Sequence, residues 1–155
     1  LTLHVTVQLA AARRGVPHAR SLRRWAQAAF TQYASSRAGT ACTLTIRVVG
    51  SAESRRLNRT WRGKDRATNV LSFPAGSAPA PLPLPELGDI AICAPVVARE
   101  ARQQRKTPRA HWAHMVVHGV LHLLGYDHVK DRDAAAMEAC EAKILKQFGY
   151  LNPYA

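Results

Sequence analysis

The segment His118-Gly119-Val120-Leu121-His122-Leu123-Leu124-Gly125-Tyr126-Asp127-His128 constrains this chain more than any other. It spaces three histidines at offsets of 0, 4 and 10, with a glycine at offset 7. Residues four apart lie one above the other on an α-helix, so His118 and His122 share a face. Gly125 falls where a helix ends in a left-handed residue, a conformation glycine adopts without a Cβ penalty. The chain can then turn back and bring His128 towards the same point. Three neutral imidazoles converging there suit one zinc ion and leave its fourth position open to water. The competing reading is helix-surface and loop histidines in a basic protein, but three at this spacing with this glycine favour the metal site.

The spacing is similar to that of the metzincin proteases, H-E-x-x-H-x-x-G-x-x-H, with one departure. Gly119 stands where those proteases carry their general-base glutamate. The zincin-like metal-binding helix is kept and the peptidase base is missing.

Charge points to a polyanionic partner. The 22 Lys and Arg against 10 Asp and Glu give a net charge of +12 over 155 residues. Such a protein attracts nucleic acid, although a solvated arginine-rich surface would give the same balance. Cys42, Cys93 and Cys140 are odd in number and form no C-x-x-C pair, which argues for a reducing compartment and inert thiols. No apolar run has the length of a membrane span, and no signal peptide is expected before the fold. The expectation is a cytoplasmic protein with one domain over residues 1–155.

Along the chain, Leu3, Val5 and Val7 alternate with polar residues as a half-buried strand. Ser21 reads as the N-cap of a helix running to about Ser36, with Leu22, Trp25, Ala29 and Phe30 at helical spacing. Trp25 and Phe30 read as core rather than as a base-stacking platform. Cys42 to Val49 is a second strand, followed by a short helix from Ser51 to Arg59 with Leu57 inward. A polar, basic stretch from Trp61 to Asn69 turns at Gly63. Val70 to Phe73 is a third strand, stopped by Pro74, and the four prolines between Ala75 and Pro85 make a loop. Gly88 to Cys93 is the fourth strand. Pro95 opens a helix to about Lys106, and Thr107-Pro108 opens the central, largely buried one. Asp131 or Asp133 caps a last helix, ended by Gly149. His111 reads as a surface or capping residue. This order predicts an α+β fold, with helices packed on a mixed sheet of about four strands.

Three blocks make the chain resemble the YbeY family of endoribonucleases and ribosomal RNA maturation factors. The first is His111-Trp112-Ala113-His114-Met115-Val116-Val117-His118-Gly119 through His128. The second runs from Leu57-Asn58 through Arg62-Gly63-Lys64-Asp65 to Thr68-Asn69-Val70-Leu71-Ser72-Phe73-Pro74. The third is Leu87-Gly88-Asp89-Ile90, with Gly149-Tyr150-Leu151-Asn152-Pro153-Tyr154 agreeing at the end. The resemblance implies that His118, His122 and His128 ligate zinc and that Arg62 is the functionally important arginine near the metal. It implies metal-dependent cleavage of single-stranded RNA, with roles in maturing small-subunit (16S) ribosomal RNA and in ribosome quality control. Two features depart from the family pattern: Ala67 stands where proline is common, and the proline-rich loop is longer than expected.

A guanidinium pairs bidentately with phosphate oxygens, so Arg62 suits the substrate's charge, and Lys64 and Arg66 can track flanking phosphates. Without the resemblance, Arg62 would read as an exposed loop arginine paired with Asp65. His114, one turn before His118, faces either the metal or the core. Asp127 either orients an imidazole from behind, as metal sites commonly require, or makes a turn hydrogen bond. Two other readings stand beside the nuclease: a non-catalytic RNA-binding assembly factor with structural zinc, and a peptidase, which Gly119 and the charge oppose. The nucleophile, the cleavage position and the oligomeric state are not written in the sequence.

Overall fold

One of the two interior strands of the sheet ends in an unbroken apolar run. Ile90-Ala91-Ile92-Cys93 is buried on both faces, and such unbroken apolar runs belong to interior strands covered on both sides. The computed structural model describes residues 1–34, 41–76, 84–126 and 131–155. Asp127 and His128 lie outside the described residues, as do Ser35, Ser36 and most of the proline-rich loop.

Four strands and five helices form a single α+β domain among the described residues. In order they are β1 (Thr2–Ala10), α1 (Ala19–Tyr33), β2 (Ala41–Val49), α2 (Ser51–Arg62), β3 (Val70–Pro74), β4 (Glu86–Cys93), α3 (Ala94–Gln103), α4 (Pro108–Leu123) and α5 (Asp131–Gln147). The order of strands and helices agrees with the sequence expectation. The sheet runs β1-β2-β4-β3. β1, β2 and β4 are parallel, and β3 pairs antiparallel with β4, Val70 opposite Ile92 and Phe73 opposite Asp89. The sheet is therefore mixed.

Some boundaries differ from the sequence reading. α1 begins at Ala19 with His18 at the cap position and no side-chain cap bond. Ser21 instead lies inside the helix, where its Oγ accepts a hydrogen bond from Arg109 Nη2 at 2.9 Å. α2 continues to Arg62 and closes on Gly63, whose φ of 70° is left-handed. Pro74 belongs to β3, and its lack of an N–H is tolerated because β3 ends the sheet order.

Helix α4 is the hub. The Thr107 hydroxyl accepts from the Ala110 N–H at 3.1 Å and Pro108 occupies the first turn, which fixes where the helix starts. Trp112, Met115, Val116, Val117, Val120 and Leu121 are all buried in the main core with Trp25, Phe30, Ile90 and Ile92. Each buried side chain of this size contributes about 1.5–3 kcal/mol relative to leaving it in water. His111 is buried as well, at 2% exposure, which corrects the surface or capping role read from sequence. The helix is covered nearly all round, so its polar residues are carried inside with it. Cys42 and Cys93 are buried, Cys140 is half-buried, and no disulfide joins any of them among the described residues. No described helix is long and apolar enough to cross a membrane.

Candidate metal centre and its surroundings

His111, His114, His118 and His122 follow one another on α4 at spacings of three, four and four, which places them on one stripe of the helix. Neighbouring rings are close: the centroids of His111 and His114 are 5.9 Å apart, those of His114 and His118 6.3 Å. His118 and His122 are both half-buried. The third predicted ligand, His128, and the candidate orienting residue Asp127 lie outside the described residues.

A carboxylate from α5 completes the stripe. Glu141 is 0% exposed. Its Oε1 lies 2.6 Å from His118 Nδ1 and its Oε2 2.8 Å from His114 Nε2. The Tyr154 hydroxyl donates to the same Oε2 at 2.5 Å and lies 3.1 Å from His114 Nε2. Burial pushes the Glu141 carboxyl up, but the hydrogen bonds and charges of His114 and His118 outweigh it and hold the group at about 2. An ionised carboxylate only accepts, so His114 carries its proton on Nε2 and His118 on Nδ1. Burial and the neighbouring carboxylate in turn keep the Tyr154 hydroxyl protonated.

The donor atoms of His114, His118 and Glu141 lie within 4.8 Å of one another, a cluster that could hold a metal ion. The separations bear on how. Atoms 2.6–2.8 Å apart are at charge-assisted hydrogen-bond distance, and an ion with bonds of about 2.0–2.1 Å would have to push them apart. With Nδ1 of His118 engaged by Glu141, Nε2 is the nitrogen an ion would take. A metal-bound histidine usually donates its other N–H to a carboxylate in this way. The donor set therefore fits a metal centre that Glu141 braces from behind.

The histidine stripe borders a cavity of about 320 Å³, whose wall includes Asn69, Lys106, His111, His114, His118 and Tyr154. Burial pulls the Lys106 ammonium below its usual value, opposed by the charges of Glu100 and Glu141. A second carboxylate ties this wall together. Asn69 Nδ2 donates to Glu100 Oε1 at 3.0 Å, and His111 Nε2 lies 2.9 Å from the same oxygen. Nδ1 of His111 and Nδ1 of His114 are buried with no hydrogen-bond partner among the described residues.

On the sheet side, α4 packs close at Gly119. A Cβ there would lie 2.9 Å from Ile90 Cδ1 and 3.0 Å from its Cγ2. This contact gives a steric reason for the missing glutamate, since position 119 points into the core and has no room for one. Ser72 Oγ also donates to the Gly119 carbonyl at 3.2 Å, which ties β3 to the helix.

Arg62, Lys64 and Arg66 are exposed on the end of α2 and the loop that follows. The cavity wall reaches Asn69 and Val70 but includes none of these three among the described residues. Asp65 is not held by Arg62, the pairing expected if the family resemblance is set aside. Arg55 grips it bidentately at 2.7 and 2.9 Å, and Arg59 lies 3.7 Å away. Among the described residues the Arg62 side chain makes no hydrogen bond or ion pair. The loop itself is pinned to α2: Asn58 Nδ2 donates to the Arg66 carbonyl at 2.9 Å, and Ser54 Oγ accepts from the Thr68 N–H at 2.9 Å.

The sequence reading gives Glu141, Tyr154 and Lys106 no role in the site. Glu141 had a readable sign, because it stands at a core-facing position of α5 with Met137, Ile144 and Leu145. A charged residue on such a stripe needs a partner inside the protein.

A family model described as Endoribonuclease YbeY matches residues 9–149. The Endoribonuclease YbeY of Stutzerimonas stutzeri (strain A1501) is 55% identical over 139 residues, covering 90% of this chain and 84% of that protein. The Endoribonuclease YbeY of Alkalilimnicola ehrlichii (strain ATCC BAA-1101 / DSM 17681 / MLHE-1) is 54% identical over 143 residues, covering 92% and 84%. The fold is similar to the solution structure of a Thermotoga maritima protein, with a TM-score of 0.59 and 24% identity over 94% of this chain and 87% of that one.

Proposed function

The chain belongs to the YbeY family of endoribonucleases, and from that premise we propose that it is a zinc-dependent enzyme cutting single-stranded RNA. In this reading His118, His122 and His128 hold one zinc ion, and the substrate is small-subunit (16S) ribosomal RNA in the cytoplasm, cut during maturation and ribosome quality control. The observation that carries it is the Glu141–His118 hydrogen bond of 2.6 Å. It sets the tautomer and direction of the ring whose outward nitrogen would meet the ion.

A zinc ion held there would supply Lewis acidity towards a phosphoryl oxygen and towards water. The protein's own groups do the rest. Glu141 and Tyr154 fix His114 and His118 so that the rings need not reorganise when substrate enters. Lys106, on the cavity wall, brings positive charge to a phosphodiester. Arg62 meets a phosphate oxygen from the rim, and Lys64 and Arg66 hold the flanking backbone.

The test compares the wild type, His118→Ala and Arg62→Glu on single-stranded RNA, duplex RNA and casein, each protein stripped of metal and then restored with zinc. Cleavage of single-stranded RNA should require metal, vanish in His118→Ala and fall at least tenfold in Arg62→Glu. Arg62 is exposed, so its substitution should move stability by no more than about 0.5 kcal/mol. Cleavage that persists in His118→Ala would overturn the reading. RNA binding by a wild type that never cleaves would favour an assembly factor instead.

A further inference from the structure

Of the three tryptophans, Trp25 and Trp112 are sealed in the core at 2% and 1% exposure, whereas Trp61 is 67% exposed. Trp61 stands one turn after Leu57 on α2, and Leu57 packs on the sheet beside Leu71 and Phe73. The helix face that is half-buried at Leu57 is thus mostly in solvent at Trp61. The indole still has a fixed neighbour. Its ring centroid is 5.9 Å from that of Phe73, with the planes 65° apart. This edge-to-face contact orients the ring.

Its surroundings select the partner. Residues 54–68 contain six basic side chains, Arg55, Arg56, Arg59, Arg62, Lys64 and Arg66, against one acid. All six are exposed, and the acid, Asp65, is already gripped by Arg55 and Arg59. An exposed aromatic face among solvated cations suits single-stranded nucleic acid, where bases stack on the ring and phosphates meet the charges. Position agrees as well. Side chains alternate along β3, with Val70 in the wall of the histidine cavity and Phe73 on the opposite face beneath Trp61. Three residues of strand span roughly 10 Å, and β3 ends the sheet order. A strand of RNA leaving the cavity therefore crosses one strand's width to reach the indole.

We infer that Trp61 is a stacking platform for an unpaired base of the RNA, beyond the β3 edge from the metal centre. The inference rests on the RNA reading above and names the residue that grips the strand outside the cleavage site. Because stacking on a ring is tolerant of sequence, this contact selects single strands over duplex without reading particular bases.

The test is binding of an oligouridylate of about ten nucleotides, within the range of single-strand site sizes, to catalytically inactive His118→Ala protein. Tryptophan fluorescence reads it, because the other two indoles are buried. RNA should quench the emission, and Trp61→Ala in the same background should bind at least tenfold more weakly and lose the quench. Trp61→Phe should regain most of the affinity. The dependence of binding on salt should be the same with and without the indole, because stacking releases no counterions. If the parent binds RNA and Trp61→Ala binds equally well, the platform is refuted and the nuclease reading stands. If the parent binds no single-stranded RNA even at low salt, both fall. Circular dichroism of the Ala variant should match its parent, since the ring is mostly in solvent.

Discussion

Replacing Glu141 by Gln keeps the shape of the side chain and removes its charge. The carboxylate accepts one hydrogen bond at Oε1 from His118 and two at Oε2, from His114 and Tyr154. An amide has one accepting oxygen. Facing it towards His114 and Tyr154 saves two bonds and turns the NH2 against His118 Nδ1–H. The imidazole escapes by moving its proton to Nε2, the nitrogen an ion would take. Stability and metal affinity should therefore both suffer, for separable reasons. The carboxyl sits at about 2 in the folded chain against an ordinary 4.5, and this difference makes the ionised form worth about 3 kcal/mol to the fold. That contribution is complete above pH 4.5 and disappears as the pH falls towards 2, so at pH 7 Glu141→Gln should forfeit most of it. For a chain of this size the loss lowers Tm by about 6–12 °C. Zinc affinity should fall about 10–100-fold, as for other changes behind a ligand. Urea unfolding of the metal-free protein and zinc competition against a chromophoric chelator measure the two effects. A variant that loses stability and binds zinc as the wild type does would refute the bracing argument, leaving Glu141 a buried structural acid.

Three further outcomes rest on the packing around α4. Gly119→Ala should cost about 1–2 kcal/mol, because the Cβ must displace Ile90 methyls while gaining up to about 1 kcal/mol of helix propensity. Gly119→Glu should unfold the protein in urea titrations rather than create a peptidase, and a folded variant that digests casein would contradict this. Burial lowers the His111 pKa below 6.5, with Lys106 and His114 adding to the effect and Glu100 opposing it. The unfolded chain then binds the proton first, so stability should decline as the pH drops below 6.5 towards the lower folded value. His111→Gln should flatten that part of the urea-midpoint profile between pH 7.5 and 5.5; an unchanged slope would count against it.

Local rules explain what the sequence disclosed. Thr107-Pro108, Gly125 and the apolar alternation of β1 and β2 act within a few residues, and the structure places the elements as they predict. His118 and His122 were legible for the same reason, being four apart on one helix. The core-facing position of Glu141 shows only that it needs a buried partner; that it and Tyr154 reach the histidine stripe follows from packing of α5 and the C-terminal segment on α4, which leaves no local pattern. His111 was misread because a histidine near a helix start resembles a surface residue, and its partner Glu100 lies on a different helix. Only the reading that sets the resemblance aside pairs Arg62 with Asp65, on sequence proximity, whereas Arg55, ten residues away, has the better geometry. The sequence reading ends α2 at Arg59 and so leaves Trp61 in the polar stretch, whereas the helix runs on to Arg62.

The Gly119–Ile90 contact has a consequence for how this centre can fail. Steric fit between one backbone and one hydrocarbon side chain sets how far α4 is rolled about its own axis, and with it the bearing of each imidazole. A silent-looking exchange among aliphatic residues of β4 would thus detune the proposed metal capture from the far side of the helix, with the proposed histidine ligands intact. Damage of that sort would be invisible to an inventory of ligands and plain to a measurement of ion affinity.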